Sequence, residues 1–134
     1  MTQEDKNLLL KDLCARLPYK VCAQIPDEYG GYTSAIESID IDGFVKDFEG
    51  TQIEIEYIKP YLFPLSSISK EQQDELDSLG IGYGEYAFHD DIYGRGIGVD
   101  EAYKFYEWCY KNHIDFLGLI DIGIAIDATG KNIY

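Results

Sequence analysis

Few residues in this chain combine types and spacings that could do chemistry. His89-Asp90-Asp91 places three metal-ligand types side by side. Neighbouring side chains of an extended segment point to opposite faces, so His89 and Asp91 alone could converge, and a tetrahedral site would need further ligands from elsewhere. Gly94-Arg95-Gly96-Ile97-Gly98 precedes a helix-like stretch, where backbone amides can cradle a phosphate. Val99 stands where a dinucleotide fingerprint needs glycine, and Asp100-Glu101 places negative charge where the phosphate would sit, so a turn capped by Asp100 is expected instead. Cys109 and His113 have the i, i+4 spacing of a thiol and its base on one helix face, but that face is needed for the core and no orienting partner is evident.

The strongest concentration of charge is Glu37, Asp40, Asp42, Asp47, Glu49, Glu54 and Glu56, with Lys46 the one base among them. Where strands bearing Asp40-Asp42 and Glu54-Glu56 pair, like charges on one wet face repel by tenths of a kcal/mol each, a cost that a basic partner or cation relieves. The plainer alternative is a solvated sheet face that keeps the protein soluble. Twelve tyrosines, several beside glycine (Tyr83, Tyr86, Tyr93), add amphipathic contact surface suited to protein recognition.

Composition bounds these choices. The 134 residues suit a single domain, 1–134, and 46% hydrophobic residues suffice for one core. Eleven Lys plus Arg against 25 Asp plus Glu give a net charge of -14, and the bases are scattered singly. Direct nucleic-acid binding and attraction to anionic membranes are therefore not expected. Cys14, Cys22 and Cys109 form no CxxC pair and cannot all close into disulfides, which points to a reducing, cytoplasmic setting. Cys14 and Cys109 are expected to pack as small hydrophobes on helix faces. The first residues carry acids where a secretory signal carries bases, and no apolar run approaches the roughly 20 residues of a membrane span.

The elements that must position these residues follow from period and punctuation. Thr2 with Asp5 has the spacing of a capping box, and Leu9, Leu10, Leu13, Cys14 and Leu17 recur at helical spacing, predicting a helix over 3–17 that Pro18 ends. Alternation from Tyr19 to Ile25 and again over Gln52–Ile58, with Asp42-Gly43 and Glu49-Gly50 as turns, predicts a β-meander over 19–58. In its last strand Ile53, Ile55 and Tyr57 should face inward, with the first helix covering that face. Pro60 and Pro64 mark 59–64 as an extended connector. Ser69 with Gln72 caps a surface helix over 70–79, and the apolar arc Ala102, Tyr103, Phe105, Tyr106, Cys109, Tyr110 predicts one over 99–113. Asp115 is expected to cap a short helix over 116–122, Ile122, Ile124 and Ile126 suggest a brief strand, and Thr129–Tyr134 should fray. The fold class is α+β: a small antiparallel β-meander or partial barrel flanked by three to four helices.

Three phrases, Leu8-Leu9-Leu10-Lys11-Asp12-Leu13-Cys14-Ala15-Arg16-Leu17-Pro18-Tyr19, Ile58-Lys59-Pro60-Tyr61-Leu62-Phe63-Pro64-Leu65-Ser66-Ser67 and Phe116-Leu117-Gly118-Leu119-Ile120, resemble an uncharacterised family of small proteins from gut Bacteroidales genomes, phages and mobile elements. The resemblance covers the N-terminal half and the C-terminal tail, implies a bacterial or phage setting, and brings no catalytic residue or cofactor with it. The acidic Asp121–Asp127 stretch departs from the more basic version found in that family. The expectation is a non-enzymatic accessory protein with no cofactor, binding another protein through Asp40, Asp42, Glu54, Glu56, Tyr83, Tyr86 and Tyr93. Two alternatives stand beside it. A nucleic-acid mimic would space carboxylates along a ridge like phosphates, and a small metal-dependent hydrolase would gather His89 and Asp91 in a cleft.

Overall fold

Thr2 and Asp5 close a reciprocal cap: the Asp5 amide donates to Thr2 Oγ1 at 3.1 Å and the Thr2 amide to Asp5 Oδ2 at 3.3 Å, so two amides left free by the first turn find acceptors. Helix α1 then runs Gln3–Arg16 and passes into a 3-10 turn at Leu17–Tyr19. The computed structural model describes residues 1–80 and 99–134, with backbone only for residues 99–101. Leu9 and Leu13 are fully buried, and Asp12 and Arg16 share their face. Cys14 lies about 140° round the helix from Leu9 and is exposed, against the expectation that it packs in the core.

Seven strands form one mixed, open sheet: β1 Cys22–Gln24, β2 Thr33–Ile39, β3 Phe44–Asp47, β4 Gln52–Glu54, β5 Lys59–Pro64, β6 Ile114–Asp115 and β7 Ile126–Asp127. The order is β4-β3-β2-β1-β5-β6, with β7 also on β5. The first four strands are the antiparallel meander, turning at Gly43 (φ 84°) and Gly50 (φ 86°), a backbone region glycine enters without steric cost. With helices α2 Lys70–Ser78 and α3 Val99–Lys111, the class among the described residues is α+β with three helices.

Four expectations need correction. The open sheet is larger than a meander, because 59–64 is a full strand rather than a connector. It pairs antiparallel with β1 and parallel with β6 and β7. Its prolines sit near its ends, Pro60 before the register with β7 begins at Tyr61 and Pro64 at the final residue, positions where a missing N–H is tolerated. Residues 116–122 form turns instead of a helix: Asp115 does cap, accepting the Leu119 and Ile120 amides at 2.9 Å each, but Gly118 and Gly123 adopt φ of 80° and 83° and break the winding. The strand at 52 ends at Glu54 in a 3-10 turn over Ile55–Tyr57, so Tyr57 swings outward and Ile58 takes the buried place. Tyr134 does not fray; its ring and hydroxyl dock on the sheet.

Two apolar clusters fill the interior. Leu9 and Leu13 of α1 pack with Ala23, Ile36, Val45 and Leu62 of the sheet, while Leu76 of α2 packs with Phe105, Trp108 and Cys109 of α3. Arg16, 0% exposed, ties the two together. Its guanidinium donates to Asp12 (2.7 and 3.1 Å), to the Ile114 carbonyl (2.7 Å) and to the Cys109 carbonyl (3.4 Å), and lies 5.3 Å from the Tyr110 ring centroid. A fully buried arginine is tolerated because nearly every donor finds an acceptor.

Candidate functional site

Of the meander's acids, two serve the fold; among the others Glu37, Asp42, Glu49 and Glu54 are exposed and Glu56 is half-buried. Asp40 Oδ1 accepts the Asp42 amide at 2.9 Å and the Phe44 amide at 3.0 Å, building the β2–β3 turn. Asp47 does the same for the β3–β4 turn, with Oδ1 accepting the Glu49 and Thr51 amides, while Oδ2 accepts the Tyr32 hydroxyl. Burial would raise the Asp47 pKa, but the Tyr32 hydroxyl and these amides outweigh it and hold the carboxyl below its ordinary value. The repulsive wet face expected of Asp40 and Asp42 paired with Glu54 and Glu56 is therefore not the arrangement found: Asp40 lies in the turn, and Phe44 is the residue opposite Glu54.

Asp42, Glu54 and Glu56 instead line one cleft, Asp42 from the β2–β3 turn, Glu54 from the end of β4 and Glu56 from the 3-10 turn after it. The Ile55 amide donates to the Gly43 carbonyl at 2.9 Å, joining the β2–β3 turn to the 3-10 turn after β4. The start of α1 forms the opposite wall. Between them lies a cleft of about 320 Å³, whose lining includes Lys6, Leu10, Asp42, Phe44, Glu54 and Glu56. Lys6 Nζ sits 3.0 Å from Glu56 Oε2. That hydrogen bond to Lys6 lowers the Glu56 pKa, and the hydrogen bond between the two carboxyls raises that of Glu54. Glu56 and then Glu54 push the neighbouring Tyr57 hydroxyl upward as well. At the rim Ile41 is 97% exposed and Phe44 38%.

Elsewhere one candidate chemistry is disfavoured. Burial pushes the Cys109 thiol up to about 12 and the His113 imidazole down to about 4, so near neutral pH neither the thiolate nor the imidazolium of a nucleophilic pair is favoured. His113 stands beyond the end of α3 with φ of 60°. Tyr83, Tyr86, Tyr93, His89, Asp91 and the 94–98 glycine segment lie outside the described residues. Among the described residues no three His, Cys, Asp or Glu side chains are grouped to hold a metal ion.

Three features of the molecule escape sequence reasoning: the Asp12–Arg16 pair, Ile41 and Tyr134. The i, i+4 spacing of an acid and arginine on α1's apolar face was the available sign of the first. An isoleucine between two aspartates at a hairpin tip was the sign of the second. Comparison with known protein families, with curated proteins and with solved structures finds no match.

Proposed function

We propose that this chain is a non-enzymatic accessory protein that binds another protein, with the cleft of Asp42, Glu54 and Glu56 receiving a basic segment of the partner. The observation that carries this is that all three line one cleft, with an isoleucine that is 97% exposed at its rim. The carboxylates complement Lys or Arg, and Ile41 with Phe44 supplies the apolar contact that gives such a surface affinity beyond charge. Lys6 on Glu56 marks where one ammonium sits, and Glu54, held protonated more readily by its neighbour, is relieved by a second. The phage or mobile-element setting in a bacterial cytoplasm is part of the proposal and rests on the family resemblance alone.

The test uses fluorescein-labelled dodecapeptides alternating Lys with Leu, their Glu/Leu counterparts, and Lys/Ser controls, read by anisotropy. The Lys/Leu peptide binds and the Glu/Leu peptide does not. Binding weakens with salt, and Glu54→Gln with Asp42→Asn weakens it about tenfold or more, while the uncharged Ile41→Ser weakens it with little change in salt dependence. Equal binding by the variants would remove the cleft from the account.

A further inference from the structure

Residues 129–134 carry no core-forming pattern, yet they end on a tyrosine whose hydroxyl is satisfied on both sides. Gly130 and Asn132 adopt φ of 75° and 55°, which bends the segment back toward the sheet. Tyr134 Oη accepts the Cys22 amide at 2.9 Å and donates to the Tyr61 carbonyl at 2.7 Å. Strand β1 pairs with β5 through Gln24–Lys59 and Ala23–Pro60, so in continued register Cys22 would stand opposite Tyr61. There the two strands part, and the phenol oxygen occupies the place of the direct ladder bond. The ring stacks on His113 with centroids 3.6 Å apart and planes inclined by 10°, and lies 6.0 Å from the Phe63 ring. His113 is held beneath it by its own carbonyl, which accepts the Phe63 amide at 2.8 Å. The residue as a whole is 43% exposed, but burial around the hydroxyl raises its pKa well above the tyrosine range and keeps it a donor. The segment's other hydrogen bonds among the described residues are local: Thr129, through both its amide and its side chain, to the Asp127 carboxylate, and Lys131 N to the Ala128 carbonyl.

We propose that residues 129–134 form a strap that opens and closes over the β1–β5 seam as one unit, latched by Tyr134, without unfolding of the sheet. A single aromatic plug joined by locally bonded residues has few contacts to break, whereas the sheet beneath is held by the core. Closing the strap protects the Cys22 amide and limits access to the half-buried Cys22 thiol beside it.

Amide hydrogen exchange by NMR tests this on the intact chain, with the Ile36 amide, which donates to the Val21 carbonyl at 2.9 Å, reporting the sheet. In the unaltered protein Cys22 exchanges faster than Ile36. Tyr134→Phe, which keeps the ring and removes the bridge, speeds Cys22 exchange about tenfold, the value of one hydrogen bond, and leaves Ile36 unchanged. In a Cys14→Ser background the same variant also raises the rate of Cys22 alkylation by iodoacetamide. Equal exchange of Cys22 and Ile36 in the unaltered protein, or no change at Cys22 in Tyr134→Phe, would overturn the strap.

Discussion

Replacing Arg16 by Met should destabilise the protein by about 3–5 kcal/mol. Arg16 is 0% and Asp12 1% exposed, and the guanidinium binds both carboxylate oxygens. Met fills much of the vacated volume, so the loss comes from stranding the Asp12 charge, for which removal of one partner of a buried pair costs about 3–5 kcal/mol. The Ile114 carbonyl also loses its donor, within about 1 kcal/mol. Against the roughly 5–15 kcal/mol total of an ordinary domain this is a large fraction. Urea unfolding followed by the single tryptophan, Trp108, which lies in the second cluster near this junction, measures it. The loss carries a pH signature. Burial already raises the Asp12 pKa even with Arg16 present, and without Arg16 it rises further. A raised folded pKa favours the protonated form, so the variant's deficit is smallest below the unfolded value near about 3.9 and grows as pH rises through the folded value. Asp12→Leu with Arg16→Met should recover most of the stability. A deficit under about 1 kcal/mol, or one that does not depend on pH, would refute the role given to the pair.

Other expectations follow from single sites. His113, lowered to about 4 chiefly by burial and then by the Arg16 charge, contributes stability that is present above about pH 6.5 and lost as pH falls toward 4. Because the ring is only partly buried, the loss is on the order of 1–2 kcal/mol, and it should be absent from His113→Asn, whose residue tolerates the left-handed backbone, when urea midpoints are compared across pH. Asp47→Ala removes the acceptor for two turn amides and the Tyr32 hydroxyl, at a cost of about 2–3 kcal/mol in the same assay. With a thiol reagent such as Ellman's, exposed Cys14 should react first, half-buried Cys22 slowly, and Cys109 only on unfolding.

The parts of the fold written in local pattern were legible. Both capping boxes form, with Ser69 and Gln72 exchanging bonds of 3.0 and 3.2 Å at the start of α2, and the meander turns fall at Gly43 and Gly50. Hidden were the features made by partners distant in sequence. Strand β5 looks like a connector because its two prolines dominate the local signal, while the strands that recruit it parallel, β6 and β7, pair with it from 51 and 65 residues further along the chain (Phe63 with Ile114, Tyr61 with Ile126). Tyr134 shows no periodicity, and its docking depends on Cys22, Tyr61 and His113 being brought together by the completed sheet. The acidic cleft was half legible: the residues stood out by density, but which ones line it was decided by the turns, which engage Asp40 and Asp47 and leave Asp42, Glu54 and Glu56 on the cleft wall.

The most direct measurement of the docking account is a titration of the ¹⁵N-labelled protein with the Lys/Leu peptide, followed amide by amide. The account expects shifts concentrated at 41–44, 54–56 and the start of α1, abolished in the Asp42→Asn, Glu54→Gln, Glu56→Gln triple variant. Shifts centred on another face, or unchanged in that variant, would contradict it.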